Sequence, residues 1–389
     1  MPNSICPSNL CTGCGGCVAI CPKKCVTLRP NLQGHLLPQI DEKICVNCNL
    51  CRKICPVNTP VPLNDPTACY AAWAKDETDR TTSSSGGASS VFATHFIEKG
   101  GVVYGAALED NKIQHIRVAT KSELSRLKGS KYVYSYAAAA YPQIKQDLKD
   151  SKQVLFIGTP CQNAAVYNIM GNNPNLTLVN LICHGVPSMQ MLQDHLKSKN
   201  ITQIKRIQFR HNNNMYKFSC NDYNAFDKLF PDVYMTLFLN GITYRSSCYQ
   251  CSYAQTKRIG DITIGDFWGL GRESSFEGGD LTKGSSCIIV NTGKGKALLY
   301  ACTDKLKLFK RKYEEALAGN GQLRAPCPYT RDVKRFNELY PRYSFRRAAL
   351  YSSAPILMIG QVKLLVKKYA SKQMQQYFIN LYKYFKKKD

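Results

Sequence analysis

Two short runs of cysteines near the start of the chain share one spacing, and that spacing is suited to binding iron. Residues 11–22 read Cys-x2-Cys-x2-Cys-x3-Cys-Pro, and residues 45–56 repeat the same order. In such a run the first three thiolates surround one 4Fe–4S cube, and the fourth reaches the cube of the other run. The spacing predicts two clusters, held by Cys11, Cys14, Cys17 and Cys55 and by Cys45, Cys48, Cys51 and Cys21.

Zinc also binds closely spaced cysteines, but two complete runs with trailing prolines favour iron–sulfur clusters. Cys6 and Cys25 fall outside the spacing and are expected to be spectators. Two adjacent clusters can pass electrons from a donor on one side of the domain to an acceptor on the other side. Residues 1–60 are therefore predicted to form a two-cluster ferredoxin domain that supplies electrons to the rest of the chain.

A second group of four cysteines lies farther along the chain. Two of them come within three residues of the ends of apolar segments, Val154–Gly158 and Leu176–Ile182, that are predicted to be buried strands. If these strands are parallel neighbours, both cysteines lie at strand C-termini, where open α/β sheets bind their ligands. Small buried hydrophobic cysteines and a zinc site are the alternatives. Four thiolates are the number that a third cluster needs, and the set is Cys161, Cys183, Cys248 and Cys251.

Two segments rich in Ser and Gly have the composition of phosphate-binding loops. Residues 81–87 precede a helical pattern over 88–99, and residues 129–132 add a lysine and a tyrosine before a predicted helix over 137–149. Free N–H groups, hydroxyls and the positive end of a helix dipole suit a phosphate. Ordinary turns have the same composition, so the pattern by itself leaves both interpretations open.

Two further polar residues are candidates for the site. Asp266 lies where a strand ends in a polar and aromatic turn, and it is expected to hold the Cys248 loop, to contact a cofactor or to cap the turn. His184, beside Cys183, is a candidate proton donor because histidine titrates near neutral pH. A packing or hydrogen-bonding role is the alternative for His184.

Four motifs occur in order in the middle of the chain: Gly158-Thr159-Pro160-Cys161-Gln162, Cys183-His184-Gly185-Val186-Pro187-Ser188, Ser247-Cys248-x2-Cys251 and Ile264-Gly265-Asp266-Phe267-Trp268-Gly269. Together with the two Ser/Gly segments they resemble the beta subunit of coenzyme F-420 (deazaflavin) hydrogenases and dehydrogenases. The likeness covers roughly residues 68–320. The fused ferredoxin domain resembles stand-alone bacterial members, some of which are associated with surface-polysaccharide synthesis.

The resemblance implies a bound flavin, usually FAD, beside a cluster, and it supports the third cluster at the four cysteines named above. The family acts on several substrates, including deazaflavin and chlorophyll-type pigments, so the substrate stays open. The chain departs from the family in carrying two clusters at its N-terminus without a hydrogenase-type partner sequence. With His184 as the catalytic candidate, the expected cofactor-binding residues are Ser85, Gly86, Gly87, Gly129, Ser130, Lys131, Tyr132, Thr159 and Asp266.

These features predict an α+β / α/β multidomain chain, in which a small two-cluster ferredoxin fold precedes an α/β flavin and iron–sulfur domain pair. No signal peptide and no apolar segment long enough to span a bilayer are recognised, so a cytoplasmic protein is expected. The predicted divisions are 1–60 for the ferredoxin domain, 68–150 for the flavin-binding part, 151–330 for the cluster and flavin part, and 331–389 for a basic helical tail.

The chain has a formal net charge of +25, and residues 341–389 alone carry eleven Lys or Arg and one Asp. A basic amphipathic helix in this tail is expected to lie on an anionic inner membrane surface, to dock a partner or to pack on the body. No nucleic-acid-binding pattern is present, so nucleic acid is not an expected partner. The basic ferredoxin domain predicts an acidic ferredoxin or flavodoxin as electron donor.

The predicted function is that of an iron–sulfur flavoprotein oxidoreductase. Electrons would pass from a reduced ferredoxin-like donor through the clusters to a flavin, which accepts single electrons and delivers pairs to a small organic substrate. A non-catalytic electron-transfer subunit of a larger complex, a deazaflavin-reducing subunit and a regulatory iron–sulfur sensor are the alternatives.

Overall fold

The computed structural model describes residues 4–210, 218–225 and 232–369. It confirms the predicted mixed α/β class, with a small N-terminal module followed by a larger body. In the module each cysteine run carries one short helix, which begins after Gly15 or Asn49 in the left-handed conformation. The module consists of α1 (Gly16–Ile20), β1 (Val26–Pro30), β2 (Leu36–Ile40) and α2 (Leu50–Lys53), and its two strands pair antiparallel.

The body is built on one large sheet and a small separate one. Its strands are β3 (Ala68–Ala74), β4 (Val102–Glu109), β5 (Lys112–Val118), β6 (Val154–Gly158), β7 (Leu176–Leu181), β8 (Ile207–Gln208), β9 (Ser219–Cys220), β10 (Tyr223–Asn224), β11 (Ile262–Asp266), β12 (Ser286–Val290) and β13 (Leu306–Arg311). The large sheet has the order β13-β3-β12-β11-β7-β6-β4-β5, and β8–β10 form the small sheet.

Helices pack on the large sheet, and three more follow its last strand toward the C-terminus of the chain. They are α3 (Glu77–Thr82), α4 (Ala88–Glu98), α5 (Ala140–Lys149), α6 (Pro160–Met170), α7 (Met189–Lys197), α8 (Val233–Leu239), α9 (Gly293–Ala301), α10 (Tyr313–Gly319), α11 (Arg331–Leu339) and α12 (Phe345–Tyr369). The helices predicted over 88–99 and 137–149 correspond to α4 and α5, and α5 begins three residues later than predicted.

The central strands β4, β6, β7 and β11 are parallel neighbours. They read as almost continuous apolar runs because helices cover both faces of the sheet, and Val154, Leu155 and Phe156 of β6 are fully buried. The pairing of β6 with β7 confirms that these two strands are adjacent and parallel. The residues that follow them are therefore brought together at one edge of the sheet.

The two predicted parts of the body share this sheet. Strand β3, from the first part, pairs with β12 and β13 of the second, and β4 pairs with β6. The expected division at residue 150 therefore falls within one continuous sheet, because antiparallel strands late in the chain return to pair with β3.

The C-terminal helices α11 and α12 pack against each other, and α12 also contacts α7 and α8. Helix α12 bends at Ser353, two residues before Pro355, whose ring cannot continue a regular helix. Residues 370–389, with the predicted tail lysines from 372 to 388, lie outside the described residues. Within the part that the structure describes, none of the helices is long and apolar enough to cross a membrane.

Candidate functional site

Each predicted ligand set of the ferredoxin domain surrounds its own small cavity. The fourth cysteine of each run lies with the first three of the other run, as the crossed pattern requires. The cavity that we name the inner ferredoxin site is lined by Cys11, Cys14, Cys17 and Cys55. The outer ferredoxin site is lined by Cys21, Cys45, Cys48 and Cys51.

A fifth thiol lines each of these two cavities. Cys6 lies in the inner ferredoxin site, where its hydrogen bond to Cys11 is the main cause that lowers the pKa of Cys11 to about 6. Cys25 lies in the outer ferredoxin site, with its Sγ 3.3 Å from Sγ of Cys21. Both cysteines therefore contact predicted ligands, although their sequence positions lie outside the ligand spacing.

The other four predicted ligands converge at the C-terminal ends of the parallel strands. Cys161 lies in the first turn of α6, and Cys183 is the second residue after β7. Cys248 and Cys251 belong to a tight turn that begins at Ser246. Burial, followed by the charges of the other three cysteines, raises the pKa of Cys183 well above its usual value. The four thiols thus share one location, which we name the body site.

The residue types at these three sites fit cubic clusters. Among the described residues, no three His, Cys, Asp or Glu side chains converge tightly enough to hold a single metal ion. A four-iron cube keeps its sulfur ligands farther apart than a single ion does, and each site supplies the four thiols that a cube requires. Iron binding would displace the thiol protons, because thiolate is the form that binds metal.

The three sites follow one another through the molecule. Burial, with nearby thiolates adding to it, raises the pKa of Cys14 to about 12 and also raises that of Cys17. These thiolates include Cys161 of the body site next to Cys14, and Cys51 of the outer ferredoxin site next to Cys17. The inner ferredoxin site therefore lies between the other two.

Two buried tyrosines hold the ferredoxin module against the body. The hydroxyl of Tyr134 donates to the carbonyl of Gly13, and the hydroxyl of Tyr141 donates to that of Cys14, both at 2.7 Å. The contact is close: a Cβ at Gly15, whose φ is 80°, would lie 2.8 Å from Cβ of Ala138. This docking fixes the spacing between the inner ferredoxin site and the body site.

A larger cavity of about 290 Å³ opens beside the body site. This volume is just below the range of about 300–1,000 Å³ for ligand pockets. Its walls include Cys14, Cys161 and Cys183, so a cluster in the body site would border it. Most of the predicted site residues line the same cavity: Ser85, Gly87, Gly129, Ser130, Lys131, Tyr132, Thr159, His184 and Asp266.

The two predicted phosphate loops meet at one end of this large cavity. The backbone N–H of Ser130 donates to the hydroxyl of Ser84 at 2.6 Å. Gly87, which precedes α4, has no side chain to cap the helix, and the first N–H, of Ala88, donates to Oγ of Ser286 at 3.5 Å. Burial lowers the pKa of Lys131 to about 7, and its ammonium donates to the carbonyls of Leu127 and Lys128. Free N–H groups, hydroxyls and a lysine that gains charge beside an anion suit a phosphate here.

Charged and aromatic groups lie at the other end. Asp266 ends β11 and forms a salt bridge with Arg210, with Nη1 and Oδ2 2.6 Å apart. The guanidinium of Arg210 lies 5.8 Å from the ring centre of Trp268. His184 lies in the same wall, and burial lowers its pKa while the charge of Asp266 opposes that shift. Proton transfer at this end would therefore involve a histidine that is neutral near pH 7.

Two of the predicted cofactor-binding residues have evident structural roles. Gly86 does not line the large cavity; a Cβ there would lie 2.2 Å from the carbonyl oxygen of Ala72, so the position requires glycine. Thr159 lines the cavity, but its side chain forms a capping box with Gln162 at the start of α6. Its Oγ1 also lies 3.2 Å from Sγ of Cys161, which orients that ligand.

His115 is a cavity residue that no sequence pattern singles out. Its Nε2 lies 3.1 Å from the carbonyl of Ile157, and its Nδ1 lies 2.9 Å from the hydroxyl of Ser135. Since a carbonyl only accepts, Nε2 carries the proton and Nδ1 accepts from Ser135. Burial lowers the pKa of His115 to about 4, so the ring is neutral. Its position in an ordinary strand pattern carries no signal of function.

Known protein families match the same two regions. Residues 151–316 match the C-terminal family of the coenzyme F420 hydrogenase/dehydrogenase beta subunit, and residues 10–59 match a 4Fe–4S dicluster domain. The first match contains all four cysteines of the body site, and the second contains the eight predicted ferredoxin ligands. The predicted family resemblance is confirmed in these two regions, where the chain is similar to the beta subunits and to 4Fe–4S dicluster domains.

Individual relatives are distant. One component of the F(420)H(2) dehydrogenase of Methanosarcina mazei is 24% identical over 218 residues, which are 52% of this chain and 62% of that protein. An uncharacterized protein of Methanocaldococcus jannaschii is 22% identical over 201 residues, 43% of this chain and 55% of its own length. The chain thus spans less than two thirds of either relative. A structure of the F420-reducing NiFe hydrogenase complex of Methanosarcina barkeri aligns at 17% identity and a TM-score of 0.44, over 64% of this chain and 83% of the other.

Proposed function

Because residues 10–59 match a 4Fe–4S dicluster domain and residues 151–316 match the family of hydrogenase/dehydrogenase beta subunits, we propose that this protein is an electron-transferring oxidoreductase. Electrons enter at the outer ferredoxin site, continue through the inner ferredoxin site and the body site, and reach a flavin in the large cavity. The observation that carries the proposal is the succession of three four-cysteine sites, the last of which borders that cavity.

The cofactor that we propose for the large cavity is FAD. The hydroxyls of Ser84 and Ser85, the N–H groups at the start of α4 and the ammonium of Lys131 would bind its phosphates. A bound flavin accepts electrons singly and releases them in pairs, which suits the junction between clusters and an organic substrate. The protein's own contribution is to hold the ring beside Cys161 and Cys183 and to exclude water from the buried wall.

The substrate is proposed to enter at the end of the cavity formed by His184, Asp266 and Arg210. His184, whose ring is neutral, is placed to relay a proton there by accepting one on its unprotonated nitrogen and passing one on, and the Asp266–Arg210 salt bridge would orient a polar substrate group. This arrangement supports reduction of a small organic molecule, with the electrons supplied through the clusters and the proton relayed by the protein.

The proposed electron donor is an acidic ferredoxin or flavodoxin that docks at the outer ferredoxin site. Cys48 is exposed there, and the rim contains the cations of Lys23 and Arg52. Val46 and Leu50 on the same rim are 58% and 38% exposed and supply apolar contact area. Basic charges around an exposed cluster raise the rate of encounter with an acidic carrier.

The proposal is tested on the full chain, prepared and reconstituted without oxygen. We expect about twelve irons per chain, four for each site, together with one flavin that heat or acid releases. A reduced ferredoxin should then bleach the flavin absorbance within single turnovers. A chain that holds its iron but binds no flavin, when FAD is supplied, would refute the enzymatic proposal and leave a non-catalytic electron-transfer subunit.

A second candidate is a deazaflavin-reducing subunit, since the matching family and the Methanosarcina mazei relative are both named for coenzyme F420. The same preparation distinguishes the two candidates. Oxidised deazaflavin is added to the reduced, flavin-loaded protein, and its absorbance is followed. Reduction of the added deazaflavin would assign it as the substrate; with no reduction, the substrate is another organic molecule.

A further inference from the structure

One buried cation connects the ferredoxin module with the body. Arg245 directly precedes the turn that carries Cys248 and is only 2% exposed. Its guanidinium donates to the carbonyl of Cys11 at 3.2 Å and to that of Leu36 at 3.0 Å. A Cβ at Gly13 would lie 2.5 Å from Nη2, so the cluster-binding loop is packed directly on the charge.

The surroundings of Arg245 supply no carboxylate among the described residues. The two hydrogen bonds that its guanidinium donates go to neutral carbonyls. Its Nε has no hydrogen-bond partner among the residues that the structure describes. The ring of Tyr134 lies 5.6 Å away and is neutral. Burial, and after it the charge of Arg245, lowers the pKa of nearby His35 to about 3, so that ring is neutral as well. Burying a cation without a counter-charge is strongly unfavourable.

The groups that can balance this charge are cysteine ligands on both sides. The guanidinium donates to the backbone carbonyl of Cys11, a ligand of the inner ferredoxin site. The backbone N–H of Cys248 donates to the carbonyl of Arg245 at 2.9 Å, so Arg245 also begins the turn that carries two ligands of the body site. One guanidinium is therefore placed between the ligand loops of the inner ferredoxin site and of the body site.

We propose that Arg245 is the shared counter-charge of the inner ferredoxin site and the body site, and that it raises the reduction potentials of both clusters. The inference rests on the proposed function. Each one-electron reduction adds one negative charge to a cube and its thiolates, and a buried cation stabilises the reduced form. A cation that acts on both sites shifts their two potentials in the same direction, so it makes both clusters easier to reduce without favouring one of them.

A second buried arginine provides the matched comparison. Arg258 is also 2% exposed, and it donates to the carbonyls of Tyr253 and Gln255. Its Nε donates to the hydroxyl of Thr263. These three partners lie in the segment that follows Cys251, a ligand of the body site, and none of them belongs to the ferredoxin module. Arg258 is therefore a buried cation on the side of the body site.

The experiment is a redox titration of the anaerobically reconstituted full chain, followed by EPR. Cys48→Ser and Cys248→Ser proteins identify the signals of the outer ferredoxin site and the body site. For Arg245→Gln we expect the reduction equilibria of the inner ferredoxin site and the body site each to fall about tenfold or more, about 59 mV per tenfold for a one-electron couple. Arg258→Gln should lower the potential of the body site only. Arg80→Gln removes a buried cation that donates to the backbone carbonyls of Asp280 and Gly284, and it should change none of the three potentials.

Arg245→Lys keeps the positive charge but changes the hydrogen-bond geometry, so it separates the two effects. It also replaces Arg245→Gln as the test if that variant does not retain iron. In Arg245→Lys we expect the reduction equilibrium constants of the inner ferredoxin site and the body site to stay within about threefold of those in the unchanged protein. Unchanged potentials in Arg245→Gln, a shift at one site only, or a tenfold shift in Arg245→Lys would overturn the inference. Flavin content and flavin reduction are measured separately, so a failure of the proposed enzymatic function leaves this result readable.

Discussion

The ferredoxin module and the body site use the same ligand set, four cysteines around one cavity, but assemble it in different ways. In the module, three ligands of each site come from a single run of seven residues, such as 11–17. In the body site the ligands are spread from Cys161 to Cys251 and meet only because β6 and β7 are parallel neighbours. A local site depends on its loop, whereas a site made of distant residues depends on the whole sheet.

The largest expected effect comes from removing one cysteine ligand of the body site while the module is left unchanged. Cys248→Ser should lower the iron content from about twelve to about eight per chain and abolish reduction of the bound flavin, because the last site before the cavity is lost. The measurement is iron content and single-turnover flavin bleaching after anaerobic reconstitution. Cys302→Ala, at a buried cysteine outside all three sites, should keep the full iron content. Eight irons in the unchanged protein would disprove the body cluster.

A backbone change should damage the body site and spare the module. A Cβ at Gly185, whose φ is 136°, would lie 2.3 Å from the ring of Tyr244 and displace the loop after Cys183. We expect Gly185→Ala to lose body-site iron while the eight module ligands keep theirs. Gly100→Ala is the control, since Gly100 also has positive φ but a Cβ there meets nothing within 4 Å. Equal iron losses in the two variants would show that backbone strain alone is responsible.

The anion-binding end of the large cavity is tested at Lys131. Lys131→Met removes the positive charge proposed to face a phosphate, and we expect flavin binding to weaken by about 1–3 kcal/mol. Equilibrium dialysis of the iron-loaded protein measures the dissociation constant. Lys121→Met serves as the control because Lys121 pairs with Glu98 and does not line the cavity. If both variants bind flavin equally well, the phosphate is elsewhere.

The pH dependence of that binding has a defined direction. Burial lowers the pKa of Lys131 to about 7 in the free protein, and a bound anion would raise it in the complex. The gain in affinity is therefore fully present below about pH 7 and is lost as the pH rises through the higher pKa of the complex. When flavin affinity is measured from pH 6 to pH 10, it should decrease as the pH rises above about 7. This decrease should be absent in Lys131→Met.

The smallest expected effect concerns the outer ferredoxin site, where the donor is proposed to dock. Changing Lys23 and Arg52 to Gln should slow reduction by an acidic ferredoxin several-fold at low salt and leave the rate at high salt almost unchanged, because salt screens the attraction over about 10 Å at 0.1 M. Stopped-flow rates at several salt concentrations measure this. Arg29→Gln, an exposed change on β1, controls for the general basic charge. A rate insensitive to salt would place docking at another surface.

Much of the chemistry could be read from the sequence because it depends on residue type and short spacing. The two cysteine runs, the strands before Cys161 and Cys183, and the helix after Gly87 all correspond to elements of the structure. The single sheet that joins both halves of the body could not be read, because the pairing of β3 with β12 and β13 links residues more than two hundred positions apart.

The sequence by itself determined which residues can bind iron, because thiolate chemistry and the reach of a tight loop are local properties. Only the tertiary structure decided the order of the three sites, the cavity that borders the last of them, and the burial of Arg245 between two of them. No sequence pattern singles out His115 as a cavity residue or Arg245 as a buried cation, because the neighbours that surround them come from distant segments. Burial and charge act through space, and only the folded chain brings these groups within reach of one another.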